Sequence, residues 1–492
     1  MNKHLIVVCG NDPQYLGRVF QLIEVIQSTG SSPVVLDLSH LNPKIGNAYQ
    51  PIFLKILRTS SPTEKFHQAL KRLDIELMYP QVECLKSEKE TFNREIEQIH
   101  EACESAIISY ARDANPNLKR RRFRKLYHEL YSGALNSLSI LNDVLERNEV
   151  TEIFIPNGRF PHQRAAITAA TAAEVDINYY EKGDFSESIY LQKYSALDRI
   201  ESQKDVAGFL EHYDKETVET IGKKWLEARM PSGKGKPLNA YVTNFEDPNS
   251  GRFEELFSKS EWIGIFTSSQ DEFASLGNDW HLHEWSDQYS AISEVLECVG
   301  VNQPVYLRVH PNFASKSHRA YKRELKEINS LKKKHPNLHV FMHDDKVNSY
   351  ELIRHSRHIV VWDSTIGLEA MILGKDVTEL AASYYDEYTG VARCFSSKDL
   401  QGIFDREKAK TESKAIEFAA YLSLREIPLT ASTRASIKAF DTPTGLRKKF
   451  LNLVSTGGNT SAWFAFIQIC DTVRHRKVKN SIRHFSSWIN VA

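Results

Sequence analysis

Between Val305 and Lys375 the chain runs twice through a short apolar segment that ends in polar residues. The first pass is Val305-Tyr306-Leu307-Arg308-Val309-His310-Pro311-Asn312. The second is Ile359-Val360-Val361-Trp362-Asp363-Ser364-Thr365, followed by the apolar-periodic Ile366 to Leu373 and Gly374-Lys375. Near-continuous apolar runs of this length read as strands buried on both faces, which places them in a parallel sheet covered by helices. Open α/β sheets gather ligands outside the carboxyl ends of their strands. One such end offers Arg and His, the other a Ser-Thr pair opening a helix, so an anionic ligand is expected between them.

The same alternation extends through most of the 492 residues, too many for one ordinary core. Residues 4–9 read as a strand, the segment carrying Leu16 to Ile26 as a helix, and 33–38 as a second strand, with no Gly-x-Gly-x-x-Gly in the turn. Residues 61–148 read mostly as helices. A strand then ends at Ile155-Pro156-Asn157-Gly158-Arg159, and another runs from Asp176 to Tyr180 before Glu181-Lys182-Gly183-Asp184. Asn157, Arg159 and Glu181 therefore fall where such sheets bind ligands. Pro231 to Pro237 reads as a linker. Beyond it, strands at 262–266, 305–309, 338–342 and 358–362 alternate with helices at 287–299, 316–333 and 348–355. The expected division is a first α/β domain at 1–237, a second at 238–398 and a helical extension at 399–492.

Composition narrows the function. Lys plus Arg and Asp plus Glu both number 63, so net charge gives no pointer to nucleic acid. The basic run Lys119 to Lys125 reads as a solvated helix face. Six scattered cysteines without a Cys-x-x-Cys pair fit a reducing cytoplasm. No stretch approaches the roughly 20 apolar residues of a membrane-spanning helix, and the apolar start is too short for a signal peptide. His335, His339 and His343 are four apart, but Pro336 breaks any helix that would align them, so no metal site is expected.

The residues of the central stretch suggest specific contacts. Ser364 or Thr365 can cap the helix that follows and leave its amides and positive dipole end for a phosphate. Glu369, one turn past Thr365, can accept from vicinal ribose hydroxyls. Arg308 offers a bidentate cation, and His310 a proton donor near neutral pH. From the residues alone, a capping Ser/Thr with an ion-paired Glu, and a buried Arg with a core His, fit as well.

Taken together, His310-Pro311 and Ser364-Thr365-Ile366-Gly367-Leu368-Glu369-Ala370 in the second of two Rossmann-like halves resemble the GT-B glycosyltransferases of bacterial capsule polysaccharide synthesis, which include Kdo-transferase-type and sialyltransferase-like enzymes. Ile155 to Phe160, Tyr180 to Gly183 and Phe266 to Phe273 are similar to segments of the same proteins. Glu181-Lys182-Gly183 has Lys where that family has Arg, and Gly374-Lys375-Asp376 has Asp where Pro is usual. The resemblance implies a GT-B fold, two Rossmann-like doubly wound domains facing a cleft, and transfer of a sugar from a nucleotide-activated donor, CMP-linked donors among them, without metal or cofactor. It places Arg308, His310, Ser364, Thr365 and Glu369 on the donor side, with Asn157, Arg159, Ser268 and Asp271 as further cleft residues. Glu181 is the first candidate for a catalytic base, Asp12 the second, and His310 the acid-side group. The implied acceptor is a growing surface polysaccharide or lipid-linked glycan, with no nucleic acid involved. The basic, aromatic-rich segment from Arg447 to Trp488 suggests a peripheral contact with the inner membrane. A sugar-nucleotide epimerase of the same fold and a non-catalytic glycan-assembly scaffold are the alternatives.

Overall fold

A computed structural model describes residues 3–10, 12–42, 62–78, 80, 94–184, 187–230, 257, 261–345, 347–405 and 410–441. The expected linker at 231–237 and the basic C-terminal segment lie outside the described residues. The chain divides into two compact units, one of residues 8–80 and 430–492, the other of residues 2–7 and 81–429.

The strands are β1 (Lys3–Val8), β2 (Ser32–Asp37), β3 (Glu76–Met78), β4 (Val150–Pro156), β5 (Asp176–Lys182), β6 (Ser188–Gln192), β7 (Trp262–Phe266), β8 (Val305–Arg308), β9 (Leu338–Phe341), β10 (Ser356–Val361), β11 (Asp376–Glu379), β12 (Ala392–Arg393) and β13 (Glu426–Pro428).

In the smaller unit β2 and β3 pair in parallel, with Val34 opposite Glu76. Helix Pro13–Ser28 opens on Asp12, whose Oδ1 accepts from the amides of Gln14 at 2.9 Å and Tyr15 at 3.0 Å. That cap and the proline at the first helical position fix the helix start. Helix Ala431–Asp441 crosses it so closely that a Cβ on Gly17 would stand 2.0 Å from Ile437.

The larger unit holds two sheets. In one, β1, β4 and β5 are parallel neighbours, β6 pairs antiparallel with β5, and β13 pairs antiparallel with β6. The other is wholly parallel, in the order β12-β11-β10-β7-β8-β9. That is the doubly wound Rossmann order, and it reverses between β7 and β10. Its strands bury alternate side chains on opposite faces. Trp262, Phe266, Tyr306, Ile359 and Val361 enter one core, while Ile263, Ile265, Leu307, Val360 and Trp362 enter the other. This double burial is why the sequence reads as unbroken apolar runs.

The first of those cores is covered by helices from distant parts of the chain. Arg199–Leu210 and Lys215–Arg229 precede the expected linker, and Glu412–Leu424 follows residue 399, yet all three pack there through Val206, Trp225 and Phe418. From the last of them the chain returns to the first sheet as β13, a strand within the segment expected to be helical. The strands absent from the sequence reading (β3, β6, β11, β12 and β13) run for only two to five residues, and β6 and β13 pair antiparallel. Among the described residues no helix is long and apolar enough to cross a membrane.

Candidate functional site at the strand ends

The reversal between β7 and β10 leaves a crevice at their carboxyl ends, where Thr267-Ser268-Ser269 and Trp362-Asp363-Ser364 emerge side by side. Ser364 caps helix Thr365–Ile372, its Oγ accepting from the Ile366 amide at 3.3 Å. Tyr385 donates its phenol to the Ser364 carbonyl at 2.6 Å and lies so near Gly367 that a Cβ there would be 2.2 Å from the phenol oxygen. The glycine in Ser364-Thr365-Ile366-Gly367 is thus required by a close approach. Thr365 Oγ1 shares a hydrogen bond of 3.2 Å with Tyr384.

Glu369 is buried, and its Oε1 accepts from Arg229 Nε at 2.8 Å. Arg229 also approaches Asp184 at 3.8 Å and stacks over Trp225. Glu369 therefore holds an arginine from a helix 140 residues earlier, with the Tyr350 phenol as a second partner of the carboxylate. Tyr350 lies against the pair, and burial and Glu369 push its phenol ionisation well up.

The strand β8 ends at Arg308, so His310 lies beyond it. Arg308 is buried, donating to the carbonyls of Met342 and, at 3.3 Å, Asp345. It pins the loop after β9, and burial lowers its pKa. His310 instead opens the short 3-10 turn Pro311–Ser315: its Nδ1 accepts from the Asn312 amide at 3.1 Å, and its own amide donates to Thr267 Oγ1 at 2.8 Å. Burial, then Lys316, push its pKa down to about 4. At neutral pH the ring is uncharged with its proton on Nε2. A neutral ring with Nδ1 accepting can offer its Nε2 proton in a hydrogen bond, in place of the charged acid expected of an imidazole near its ordinary pKa.

Asp271 is buried in an ion network. Lys316 Nζ lies 3.3 Å from its Oδ1 and Arg112 3.4 Å from its Oδ2. Lys316 continues to Glu324 at 2.9 Å. Arg159 reaches the Asp271 carbonyl at 3.4 Å and Ser105 at 2.7 Å; burial pushes its pKa down to about 10, against the pull of Glu272 and Asp271. The structure thus brings Arg159 and Asp271 together.

Asn157 and Glu181 form a separate pair at the ends of β4 and β5. Asn157 Nδ2 donates to Glu181 Oε2 at 2.6 Å, and the Lys182 amide donates to Oε1 at 2.7 Å. Asn157 and Gly158 take successive left-handed conformations, with φ of 53° and 90°, which turns the Asn side chain back to β5. A residue with a Cβ at 158 would meet that backbone cost and also Ser195 and Tyr179 at 3.0 and 3.1 Å. Asp12, the other base candidate, is an exposed helix cap in the smaller unit.

Asp363 was not among the expected site residues. It is 5% exposed, and its carboxyl group and the buried Ser268 hydroxyl have each other as nearest polar partners. Ser268 is also held through its backbone, its amide donating to Gln288 Oε1 at 3.0 Å. Burial pushes the Asp363 pKa up to about 7, with nearby Ser268 pulling the other way. The only sequence cue is its place at a strand end just before Ser364. Arg229, Tyr384 and Lys316 have no local cue at all, because their partners are far away in the chain.

The other sequence candidates resolve as packing or surface. His339 lies against Phe341 and His343 against Phe313, with ring centroids 4.5 and 5.2 Å apart. The charged side chains of the run 119–125 are exposed, and Lys125 meets Glu129 at 3.6 Å along helix Arg121–Arg147. A cavity of about 920 Å³ lies between helices Arg199–Leu210, Lys215–Arg229 and Glu412–Leu424. It borders Gly374 and Lys375, at the opposite end of helix Thr365–Ile372 from Ser364, so it is not at the strand-end crevice.

Residues 275–422 match the family model described as Capsule polysaccharide biosynthesis protein. The matched segment lies within the second half of the chain. The match includes His310, Ser364, Thr365 and Glu369, and it runs on through the helix Glu412–Leu424 that roofs the sheet. No curated protein matches. Among solved structures, the Thermosulfurimonas dismutans KpsC beta Kdo 2,4 transferase is similar at 13% identity over 55% of this chain and 80% of its own, with a TM-score of 0.38. The beta Kdo 2,7 transferase of the same organism's KpsC gives 13% over 57% and 79%, TM-score 0.34. A glycosyltransferase from Rickettsia africae gives 10% over 89% and 97%, TM-score 0.29.

Proposed function

We propose that this chain is a glycosyltransferase of capsule- or lipopolysaccharide-type surface-glycan synthesis, taking its sugar from a nucleotide-activated donor bound by the second half. The observation that carries the proposal is the Ser364-capped helix opening at the β7–β10 reversal, inside the segment matched by the capsule family model. Donor phosphate would lie on the amides of that helix, where the dipole favours negative charge. His310 would donate its Nε2 proton in a hydrogen bond to the same phosphate. Glu369 Oε2, with Oε1 occupied by Arg229, would accept from ribose. Arg308 would contribute indirectly by holding the loop after β9.

In the transfer, an acceptor hydroxyl oxygen forms a bond to the anomeric carbon as the bond from that carbon to phosphate oxygen breaks. The electron pair leaves with the nucleotide, and its charge is stabilised by the helix amides and His310. The hydroxyl proton needs a base, and Glu181 is the group we assign, oriented by Asn157 and the Lys182 amide. Acceptor binding belongs to the first half, and Arg447 to Trp488 would bring the protein to the cytoplasmic face of the inner membrane, where lipid-linked acceptors are made.

Incubation with isotope-labelled sugar nucleotides and a lipid-linked glycan extract tests this. Label should enter the glycan, and the Glu181→Gln protein should leave it unlabelled. A product formed from sugar nucleotide alone, with no acceptor, would favour epimerisation instead.

A further inference from the structure

Beside the reversal of the second sheet is a cavity of about 360 Å³, lined at its buried end by Trp280, Tyr289, Trp362 and Asp363. Ligand pockets run from about 300 to 1,000 Å³, so this one suits a single ring-sized group. Asp363 directly precedes Ser364, the cap of the proposed phosphate-binding helix. We propose that this cavity is the subsite for the donor's sugar, that it takes an uncharged, hydroxyl-bearing ring, and that Asp363 is the residue that selects it. The inference rests on the donor-site reading above and adds the class of sugar.

Three observations support it. First, Asp363 is a carboxyl group buried to 5% exposure whose polar neighbour is the Ser268 hydroxyl alone, so a further hydrogen bond to it is favourable. Asp363 lines the cavity, and a ring hydroxyl there can donate to it. Second, aromatic faces suit the apolar side of a pyranose. Phe273 and Trp280 lie with ring centroids 5.2 Å apart, and Trp362 packs on His283 at 4.6 Å. Third, the charge opposes an acidic sugar. Asp287, Glu324, Glu327 and Asp363 line the cavity; Lys316 offsets Glu324 at 2.9 Å, and the one lining Arg or Lys, Arg323, already holds Asp113 at 2.7 Å. Burial lowers the pKa of both His281 and His283, so neither adds positive charge at neutral pH. A ring bearing a carboxylate would meet four carboxyl groups with no uncommitted cation. The donor is therefore a nucleoside-diphosphate sugar with a neutral ring, not a CMP-linked ulosonic acid.

Calorimetric titration of the full chain separates this inference from the donor-site reading. The ligands are UDP, GDP, dTDP and CMP, then UDP-glucose, UDP-N-acetylglucosamine, GDP-mannose, dTDP-rhamnose, UDP-glucuronate and CMP-sialate. At least one neutral-sugar donor should bind tenfold or more tighter than its free nucleotide, and the acidic donors should gain nothing over theirs. Asp363→Ala should abolish the tenfold gain with free-nucleotide affinity held within twofold. Asp363→Asn, which keeps the shape and the hydrogen bonds, should retain the gain and narrow the discrimination against UDP-glucuronate. If acidic donors bind as tightly as neutral ones, or if a nucleotide binds and no neutral sugar improves it, the sugar subsite is wrong while the donor site stands. If no nucleotide or sugar nucleotide binds, the donor-site reading fails and this inference falls with it.

Discussion

Arg229 donates to Glu369 at 2.8 Å, joining the last turn of helix Lys215–Arg229 to the carboxylate one turn past Thr365. The side chain of Glu369 is 3% exposed and that of Arg229 is 19%. Removing either partner leaves a mostly buried charge uncompensated, which costs about 3–5 kcal/mol. Arg229→Ala and Glu369→Ala should each lose that much in chemical denaturation, and the double mutant should lose clearly less than the sum. Strict additivity would show that the pair is not coupled. Loss of nucleotide binding in Glu369→Ala must accordingly be compared with its stability, and Glu369→Gln is the cleaner probe of ribose.

His310 should matter for donor affinity without making it pH-dependent. Its pKa is lowered to about 4, so the ring stays neutral down to that region. A nucleoside-diphosphate sugar has no phosphate titrating near neutrality. The loss in His310→Ala should be about tenfold, the worth of one hydrogen bond to a charged group, and the same at pH 5.5 as at pH 8. A His310→Ala effect that shrinks as pH rises through 6.5 would mean that a cationic imidazole does the binding.

Asp363 should make wild-type stability fall with rising pH. Burial raises its pKa to about 7 in the fold, from an ordinary 3.8. The folded state therefore holds the extra proton between those values, and stability present below pH 4 is lost as pH rises through 7. Asp363→Asn removes that dependence. Its unfolding temperature should gain on wild type from pH 5 to pH 8; a constant difference would place the titration elsewhere.

Glu181→Gln should cut transfer by about 10²–10⁴, the range for a general base, with donor affinity unchanged. Asn157→Ala should lower the rate less, because the Lys182 amide still holds the carboxylate at 2.7 Å. Equal loss of donor affinity in Glu181→Gln would place that residue on the donor instead.

The strands β7, β8, β9 and β10 of the second sheet were legible because they are buried on both faces, and apolar runs such as Ile359 to Trp362 leave little other reading. The cap at Ser364 was legible for a related reason: capping is local, and the residues that make it are adjacent. The partners of Glu369 and Arg308 were not. Glu369 meets Arg229 and Arg308 meets the Met342 carbonyl only after folding, across separations of 140 and 34 residues. Asp363 was overlooked for the opposite reason. In sequence it sits inside an apolar strand end, and only its burial singles it out. The helices that roof the second sheet come from both sides of it in the chain, so no compositional boundary could show that they share its core.

Hydrogen exchange with mass spectrometry, run on the full chain with and without each nucleoside-diphosphate sugar, tests the placement of the donor most directly. The account predicts that a binding donor slows exchange at Ser364 to Leu368 and around His310 to Asn312, and that His310→Ala reduces that protection. Protection confined to the 920 Å³ cavity beside helix Glu412–Leu424, or absent from both strand ends, would contradict it.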